Sequence, residues 1–191
     1  MQDIYKANSF DRIIATEIFD AIGTCADICD FGAGHTELAD FFVPDTSKNY
    51  TGIDINQRFV QMANENFKNS TNINFIHSSL FDFKNPDFDC VICSRLIHHF
   101  SASLLQKCIR KMIETISYQG RLIIIDSVRN YNNCADRFLY LPQSCIYEVL
   151  QNISSVPYNQ VKEITVPDNQ YWMLTVDVAA GILSFKTTVI G

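Results

Sequence analysis

Two glycines and two carboxylates at a defined spacing are the residues best suited to bind a ligand. Residues 30–34 (Asp-Phe-Gly-Ala-Gly) end a short apolar run that is typical of a buried strand. The glycines let the backbone approach a ligand closely, because neither carries a Cβ. Asp54 ends a second apolar run about 20 residues further on, where a carboxylate suits the two hydroxyls of a ribose. The spacing therefore predicts a nucleoside cofactor.

The side chains around the glycines indicate which nucleoside this would be. A dinucleotide site needs a small residue where this chain has Glu37, and a carboxylate there would repel a pyrophosphate. Asp30 is also unsuited to a diphosphate, but it suits a cation such as the ammonium or sulfonium of S-adenosylmethionine (SAM). An NAD-dependent dehydrogenase is therefore the disfavoured alternative.

The chain resembles class I SAM-dependent methyltransferases, whose first motif is acid-x-Gly-x-Gly-x-Gly. Thr36 stands in place of the third glycine, and Ser78-Ser79 stands where the family usually has a Gly-Asp pair near the adenine. Five segments match the family's motifs in order: residues 30–34, 50–54 followed by Asn56, 74–83, 88–100 and 118–126. Each motif is weak by itself, and the order and spacing of all five carry the resemblance.

The resemblance implies a set of residues that bind SAM. Asp30 would lie near the ammonium, with Gly32 and Gly34 along the methionyl part. The remaining contacts would be Asp54 and Ile55 at the ribose, Ser79 and Leu80 at the adenine with Asp82 beside them, and Ser94 at the end of the fourth strand. The alternative for Asp54 is an ordinary solvated carboxylate in a loop. No metal site is expected.

His98 is the candidate general base, since it follows a central strand at the edge where open α/β sheets bind ligands. An imidazole accepts a hydroxyl proton near neutral pH. The segment resembles the His-Asp-Trp-Ser-Asp turn of plant-type O-methyltransferases, whose histidine acts as base, although His99 replaces the aspartate. The alternative is a structural histidine that is hydrogen-bonded to the backbone.

Three functions remain open at this point. The leading hypothesis is an enzyme, a SAM-dependent methyltransferase that acts on a small-molecule acceptor at oxygen. The second is methyl transfer to nitrogen or carbon, where a base is not always required. The third is a SAM-binding protein without catalysis that acts as a regulatory or assembly partner.

Composition limits the class of protein and its partners. The chain of 191 residues is 47% hydrophobic, which suits one α/β domain with a sizeable core. The net charge of −6 disfavours a nucleic-acid partner, which would need a basic stripe. The seven cysteines, several of them inside apolar runs, are typical of reduced thiols in the cytoplasm. Cys90 and Cys93 are expected on opposite faces of one strand, which argues against a metal site.

Targeting signals and long apolar runs bear on the location. Asp3 and Lys6 have no apolar core behind them, so we expect no signal peptide. No apolar run approaches the length of a membrane span. We therefore expect a cytoplasmic protein without a membrane partner.

The elements that must position these residues alternate between strand and helix. An amphipathic helix over residues 10–22 precedes strands and helices in βαβα order. The predicted helices run from about Thr36 to Phe42, from Gln57 to Lys68 and from Ser101 to Ser117, the last with Gly120 just past its end. Residues 161–166 and 171–178 read as a hairpin. The predicted fold is a Rossmann-like, doubly wound α/β sheet of about seven mostly parallel strands with an antiparallel C-terminal hairpin strand.

The chain divides into an N-terminal helical segment (residues 1–24), a SAM-binding methyltransferase domain (25–180) and an apolar C-terminal tail without an assigned place (181–191). Acceptor recognition is expected from residues 5–10 and from the insert at residues 129–142, although helix packing is the favoured interpretation of the aromatic residues in this insert. Because this insert is short, the acceptor site is either open or completed by a second subunit of a homodimer.

Overall fold

The computed structural model describes residues 9–34, 38–84, 87–127, 146, 162–166, 169–179 and 182–186. The helices are α1 (Ser9–Ile22), α2 (Gln57–Asn66) and α3 (Ala102–Thr115), with short 3-10 helices at Ala39–Phe42 and Ile97–His99. The strands are β1 (Asp27–Phe31), β2 (Asn49–Asp54), β3 (Ile73–His77), β4 (Phe88–Ser94), β5 (Ile116–Ser127), β6 (Lys162–Val166), β7 (Asn169–Ala179) and β8 (Ile182–Lys186). Among the described helices, none is long and apolar enough to cross a membrane.

Several of the sequence-based expectations fall outside the described residues. They concern most of the N-terminal segment 5–10, the turn residues His35, Thr36 and Glu37, the insert at 129–142, and the hairpin turn at Pro167 and Asp168. The elements that flank these segments are described.

The strands form one sheet in the order β3-β2-β1-β4-β5-β7-β6. The first five strands of this order are parallel, and β7 runs antiparallel to β5. The strand order reverses between β1 and β4, which is the switch point where doubly wound sheets bind ligands. The predicted doubly wound fold and its antiparallel hairpin strand are therefore confirmed.

An eighth strand occupies part of the tail that the sequence left unplaced. β6 pairs with residues 169–173 of β7, and β8 pairs with residues 175–179 of the same strand. Since β5 covers the opposite side of β7, the strands β6 and β8 lie end to end along one outer edge. Residues 182–186 thus extend the sheet beyond the seven strands expected.

Two predicted helix boundaries were wrong. The helix expected up to Ser117 ends at Thr115, because Ile116 already pairs with Phe88 as the first residue of β5. Gly120 lies inside β5 rather than at a helix end, beside a register shift in the β4–β5 pairing. A Cβ at Gly120 would lie 2.9 Å from the Asp89 carbonyl oxygen, so this close approach of two strands requires glycine.

The helix expected from Thr36 to Phe42 is also shorter in the described residues. Here the chain forms only the four-residue 3-10 helix Ala39–Phe42. Ala39 and Phe42 are fully buried, and the Phe42 ring lies against Tyr50 of β2 with 4.8 Å between the ring centroids. The segment therefore covers the sheet as a short turn of helix.

The sheet separates two apolar clusters. The first contains residues of α1 and α2, and the second contains residues of α3. Cys90 belongs to the first cluster and Cys93 to the second, which confirms that the two thiols face opposite sides of β4. The cysteines inside the strands are thus core residues, as predicted.

The carboxyl ends of the parallel strands bring the candidate residues to one edge. Asp30 lies near the end of β1, Asp54 ends β2, and Ser94 ends β4. Asp126 is the second-last residue of β5, and His98 follows β4 in the second 3-10 helix. Residues far apart in sequence therefore share one edge of the sheet on both sides of the switch point.

Candidate functional site

The turn after β1 is held in place by the end of β2. Gly32 has φ +75° and donates its N–H to the Ile53 carbonyl oxygen at 2.7 Å. A Cβ at Gly32 would lie 2.9 Å from Leu96 Cδ1, so a side chain there is disfavoured by the backbone conformation and would also displace Leu96. At Gly32, the backbone of the turn is therefore not covered by a side chain where a ligand would approach.

Asp54 is directly bonded to this turn. Its Oδ2 accepts the Gly34 N–H at 3.0 Å, and its Oδ1 accepts the Asn56 N–H at 2.7 Å. The structure thus brings the second glycine and the second carboxylate together, as their spacing suggested. A carboxylate has about four acceptor positions, so these two bonds leave capacity for hydroxyl groups.

Asp30 is a buried carboxylate, with only 4% of its surface exposed. The Tyr50 hydroxyl donates to Asp30 Oδ2 at 2.6 Å from the neighbouring strand β2. A buried carboxyl group can carry a charge only if hydrogen-bond donors stabilise it, and the Tyr50 hydroxyl is one such donor. Asp30 therefore places a carboxyl group at the switch point, with one of its oxygens held by Tyr50.

A small cleft that is open to solvent lies beside Asp30 and the Gly32 turn. Its walls come from α1, the glycine turn and the end of β4: Ile14, Ala15, Ile18, Asp30, Gly32, Ala33, Leu38, Ser94 and Arg95. Arg95 has φ +54°, an uncommon conformation for a residue with a side chain, and its N–H is bonded to the Ile125 carbonyl oxygen at 2.8 Å. The cleft thus unites three predicted residues, namely Asp30, Gly32 and Ser94, with an arginine.

The segment after β3 holds the remaining candidates. The Ser79 hydroxyl donates to Asp82 Oδ2 at 2.6 Å and accepts the Asp82 N–H at 3.1 Å, so two hydrogen bonds join these residues to each other. Leu80 is buried in the second cluster, which leaves only its backbone for a ligand. Ile55 is 73% exposed beside Asp54 and presents an apolar surface next to the carboxylate.

His98 is bound to a carboxylate from the adjacent strand. Its Nδ1 lies 2.8 Å from Asp126 Oδ1 and 3.0 Å from Oδ2, and its backbone N–H donates to Oδ2 at 3.2 Å. Asp126 is 3% exposed, so its buried carboxyl oxygens need such hydrogen-bond donors. A neutral imidazole with its proton on Nδ1 keeps Nε2 as the acceptor nitrogen.

His99 lies against His98, with 4.3 Å between the ring centroids. Partial burial, together with the neighbouring His98, lowers the pKa of His99, while Asp126 and Asp54 act in the opposite direction. The two histidines therefore lie between the carboxylates at the ends of β2 and β5. Within the described ranges, no group of three or more His, Cys, Asp or Glu residues is arranged to hold a metal ion.

Sequence reasoning missed three residues of this site: Tyr50, Arg95 and Asp126. Asp126 was noted only as the acid that ends the last strand of the resemblance, and its position at the carboxyl end of a central strand was the available signal. Tyr50 opens the second motif, but its contact with Asp30 depends on the pairing of β1 with β2, in which Asp30 lies opposite Gly52. Arg95 carried no distinctive signal.

The comparisons with known proteins agree with this geometry. Residues 28–120 match a family model described as a methyltransferase domain. This match covers β1 to β4, the glycine turn, Asp54 and His98. No curated protein sequence matches significantly.

Solved structures with the same fold include enzymes that transfer methyl groups to different atoms. The N-methyltransferase NodS from Bradyrhizobium japonicum WM9, in complex with S-adenosyl-L-homocysteine (SAH), has a TM-score of 0.69 at 14% identity, covering 91% of this chain and 89% of that chain. Magnesium protoporphyrin IX methyltransferase (ChlM) from Synechocystis PCC 6803 with bound SAM has a TM-score of 0.66 at 17% identity, covering 88% and 77%. The CurJ carbon methyltransferase has a TM-score of 0.67 at 14% identity, covering 88% of this chain and 54% of that chain.

Proposed function

We propose that the protein, whose residues 28–120 match a methyltransferase domain, is a class I SAM-dependent methyltransferase that moves a methyl group from SAM to an oxygen atom of a small-molecule acceptor. The observation that carries the choice of oxygen is the His98–Asp126 pair at the edge of the sheet. Such a pair is suited to remove a proton from a hydroxyl, and a hydroxyl is the acceptor that most needs this help.

The residues at the edge fit the cofactor. The Asp54 carboxylate would accept the ribose hydroxyls, with Ile55 packing beside them. Asp30 would attract the cationic methionyl part, which passes the bare backbone at Gly32 and Gly34. Ser94 would contact the cofactor at the end of β4, and Ser79 with the Leu80 backbone would flank the adenine. When bound, SAM supplies an electrophilic methyl group on its sulfonium.

His98 and Asp126 would prepare the acceptor. The carboxylate holds the Nδ1–H tautomer, so the Nε2 lone pair accepts the acceptor's hydroxyl proton as the oxygen becomes nucleophilic. Asp126 then stabilises the imidazolium that results, because its charge lies 2.8 Å from the ring. The 3-10 helix after β4 carries His98 and the end of β5 carries Asp126, and together they would keep the oxygen aligned, which is a large part of catalysis of a displacement.

The expected partners follow from the same site. We propose a small-molecule acceptor bound in the cytoplasm, without nucleic acid or membrane. The insert at residues 129–142 remains the proposed acceptor-binding element, either by itself or completed by the second subunit of a homodimer.

Transfer to nitrogen or carbon is the second candidate, and the fold shared with NodS and CurJ favours keeping it. An amine acceptor that is already neutral attacks without a base, so His98 would then have only a structural role.

A SAM-binding protein without catalysis is the third candidate, and the chain's departures at Thr36 and Ser79 are the features that favour it.

The test compares acceptors that differ only in a hydroxyl or an amine, using SAM labelled on its methyl group. We expect label in hydroxyl acceptors, and we expect His98→Ala to lower that rate by roughly 10²–10⁴-fold with unchanged SAH affinity. An unchanged rate in His98→Ala, or label only in amines, would reject the role of His98 as base. The absence of transfer from a protein that binds SAH would support the non-catalytic alternative.

A further inference from the structure

Arg95 is the basic residue of the cleft beside the glycine turn. Among the described residues that line this cleft, Asp30 is the only acid and Arg95 is the only base. Arg95 directly follows β4, and its backbone lies in the left-handed region at φ +54°. We propose that Arg95 binds the carboxylate of the methionyl part of SAM, opposite in charge to the ammonium that Asp30 would attract. This proposal rests on the SAM cofactor of the proposed function, but not on the acceptor or its atom.

The position of Arg95 departs from the alternation of side chains along β4. Cys90 and Ile92 belong to the apolar cluster that contains residues of α1. Val91 and Cys93 belong to the cluster on the α3 side. Successive side chains of a strand point to opposite faces, so continued alternation would place residue 95 on the α3 side. Arg95 instead lines a cleft whose other walls include α1 and the turn after β1.

The backbone conformation of Arg95 accounts for this change of side. A residue at positive φ ends the strand alternation, and the bond from the Arg95 N–H to the Ile125 carbonyl oxygen, at 2.8 Å, holds the residue in place. Glycine adopts this conformation without strain, whereas a residue with a Cβ is strained. Strained residues of this kind cluster at sites that bind ligands. The strain here accompanies a cationic residue in the wall of the cofactor cleft.

The chemistry of the cleft suits an α-amino acid that carries both of its charges. A guanidinium offers donors in a fixed fork that can bind both oxygens of a carboxylate, and such charge-assisted bonds are strong. Asp30 supplies the opposite charge for an ammonium. The same cleft includes Gly32, whose backbone is not covered by a side chain, and the apolar residues Ile14 and Ile18 of α1, which suit the methylene groups between. The methionyl part therefore fits these walls better than a ligand with one charge.

The test measures the dissociation constants of three ligands by calorimetry. SAH carries both the ammonium and the carboxylate, decarboxylated SAH keeps only the amine, and methylthioadenosine lacks the whole amino-acid part. The wild type should bind SAH at least about 10-fold more tightly than decarboxylated SAH, because hydrogen bonds to charged groups contribute this much. Equal affinities for these two ligands would overturn the proposal.

Three variants assign the preference to one side chain. Arg95→Gln should weaken SAH binding by roughly 10- to 100-fold and leave the affinities for the other two ligands unchanged. Arg95→Lys keeps the charge without the fork, so its affinity for SAH should lie between those of the wild type and Arg95→Gln. Arg110→Gln is the matched control, because Arg110 is an exposed residue of α3 and its loss changes the net charge equally.

Two results with Arg95→Gln would overturn the proposal. An unchanged affinity for SAH would exclude the contact, and an equal loss of affinity for all three ligands would give the arginine a structural role only. If Arg95→Gln does not fold, Arg95→Gly replaces it in the same comparison, because glycine relieves the strain at positive φ. All these measurements are binding equilibria. If Arg95 discriminates the carboxylate but no methyl group reaches an oxygen, the choice of acceptor is wrong and the role of Arg95 stands.

Discussion

The carboxylate of Asp126 lies 2.8 Å from Nδ1 of His98 and also accepts the His98 backbone N–H. The two residues belong to adjacent elements, the end of β5 and the 3-10 helix after β4. One buried carboxylate thereby fixes both the ring and the backbone of the histidine. The proposed acceptor chemistry rests on this contact.

The first prediction concerns Asp126→Asn. The amide keeps the shape of the side chain but removes the charge that would stabilise an imidazolium, so we expect kcat to fall by up to about 10²-fold, with little change in SAH affinity. A double-mutant cycle with His98→Ala measures the coupling. If Asp126 acts through His98, the asparagine costs little in the His98→Ala background. Equal losses in both backgrounds would mean that Asp126 has only a structural role.

The second prediction concerns Asp54→Asn and the affinity for SAH. Losing charge-assisted hydrogen bonds to the ribose should weaken binding by roughly 10- to 100-fold, measured by calorimetry. Asp45→Asn is the matched control, because Asp45 is bonded to Ser47 in the loop before β2. If Asp54→Asn binds SAH as tightly as the control does, Asp54 is an ordinary loop carboxylate.

The third prediction uses two glycines with similar backbone conformations. Gly32→Ala and Gly23→Ala both place a side chain at positive φ, which costs about 1–2 kcal/mol. The new Cβ at Gly32 also meets Leu96 at 2.9 Å, whereas at Gly23 it meets only Arg121 Nη1 at 3.5 Å. Urea unfolding should therefore show a larger loss for Gly32→Ala, and only this variant should weaken SAH binding. Equal losses would contradict the tight turn.

The fourth prediction concerns His99 and pH. Because the pKa of His99 is lowered in the folded protein, the unfolded chain binds more protons at acid pH. Stability should therefore fall as the pH drops below the ordinary histidine value of 6.5. His99→Gln should lose less stability than the wild type between pH 7.5 and 5.5, values chosen about one unit to either side of that pKa. An identical pH dependence would show that His99 does not contribute.

Local sequence could predict that the glycine turn and Asp54 lie together, because this contact follows from backbone freedom and from spacing within one βαβ unit. The alternation of apolar runs with helical segments likewise predicted the doubly wound sheet and the C-terminal hairpin. Both signals lie within short stretches of chain.

The pairing of His98 with Asp126 could not be predicted, since the two residues meet only when β4 and β5 become neighbours. Gly120 was misread as a helix end because glycine serves equally at a helix end and in a strand that passes closely by another. Only the approach of Asp89 in β4 decides between these uses. The missing information in both cases is tertiary.

A crystal structure with SAH bound tests the site most directly. The account predicts the ribose hydroxyls within hydrogen-bonding distance of the Asp54 carboxylate, the methionyl part beside Gly32, and the sulfur facing a cavity that His98 Nε2 also lines. A sulfur that faces away from His98, or a ribose held by groups other than Asp54, would contradict it.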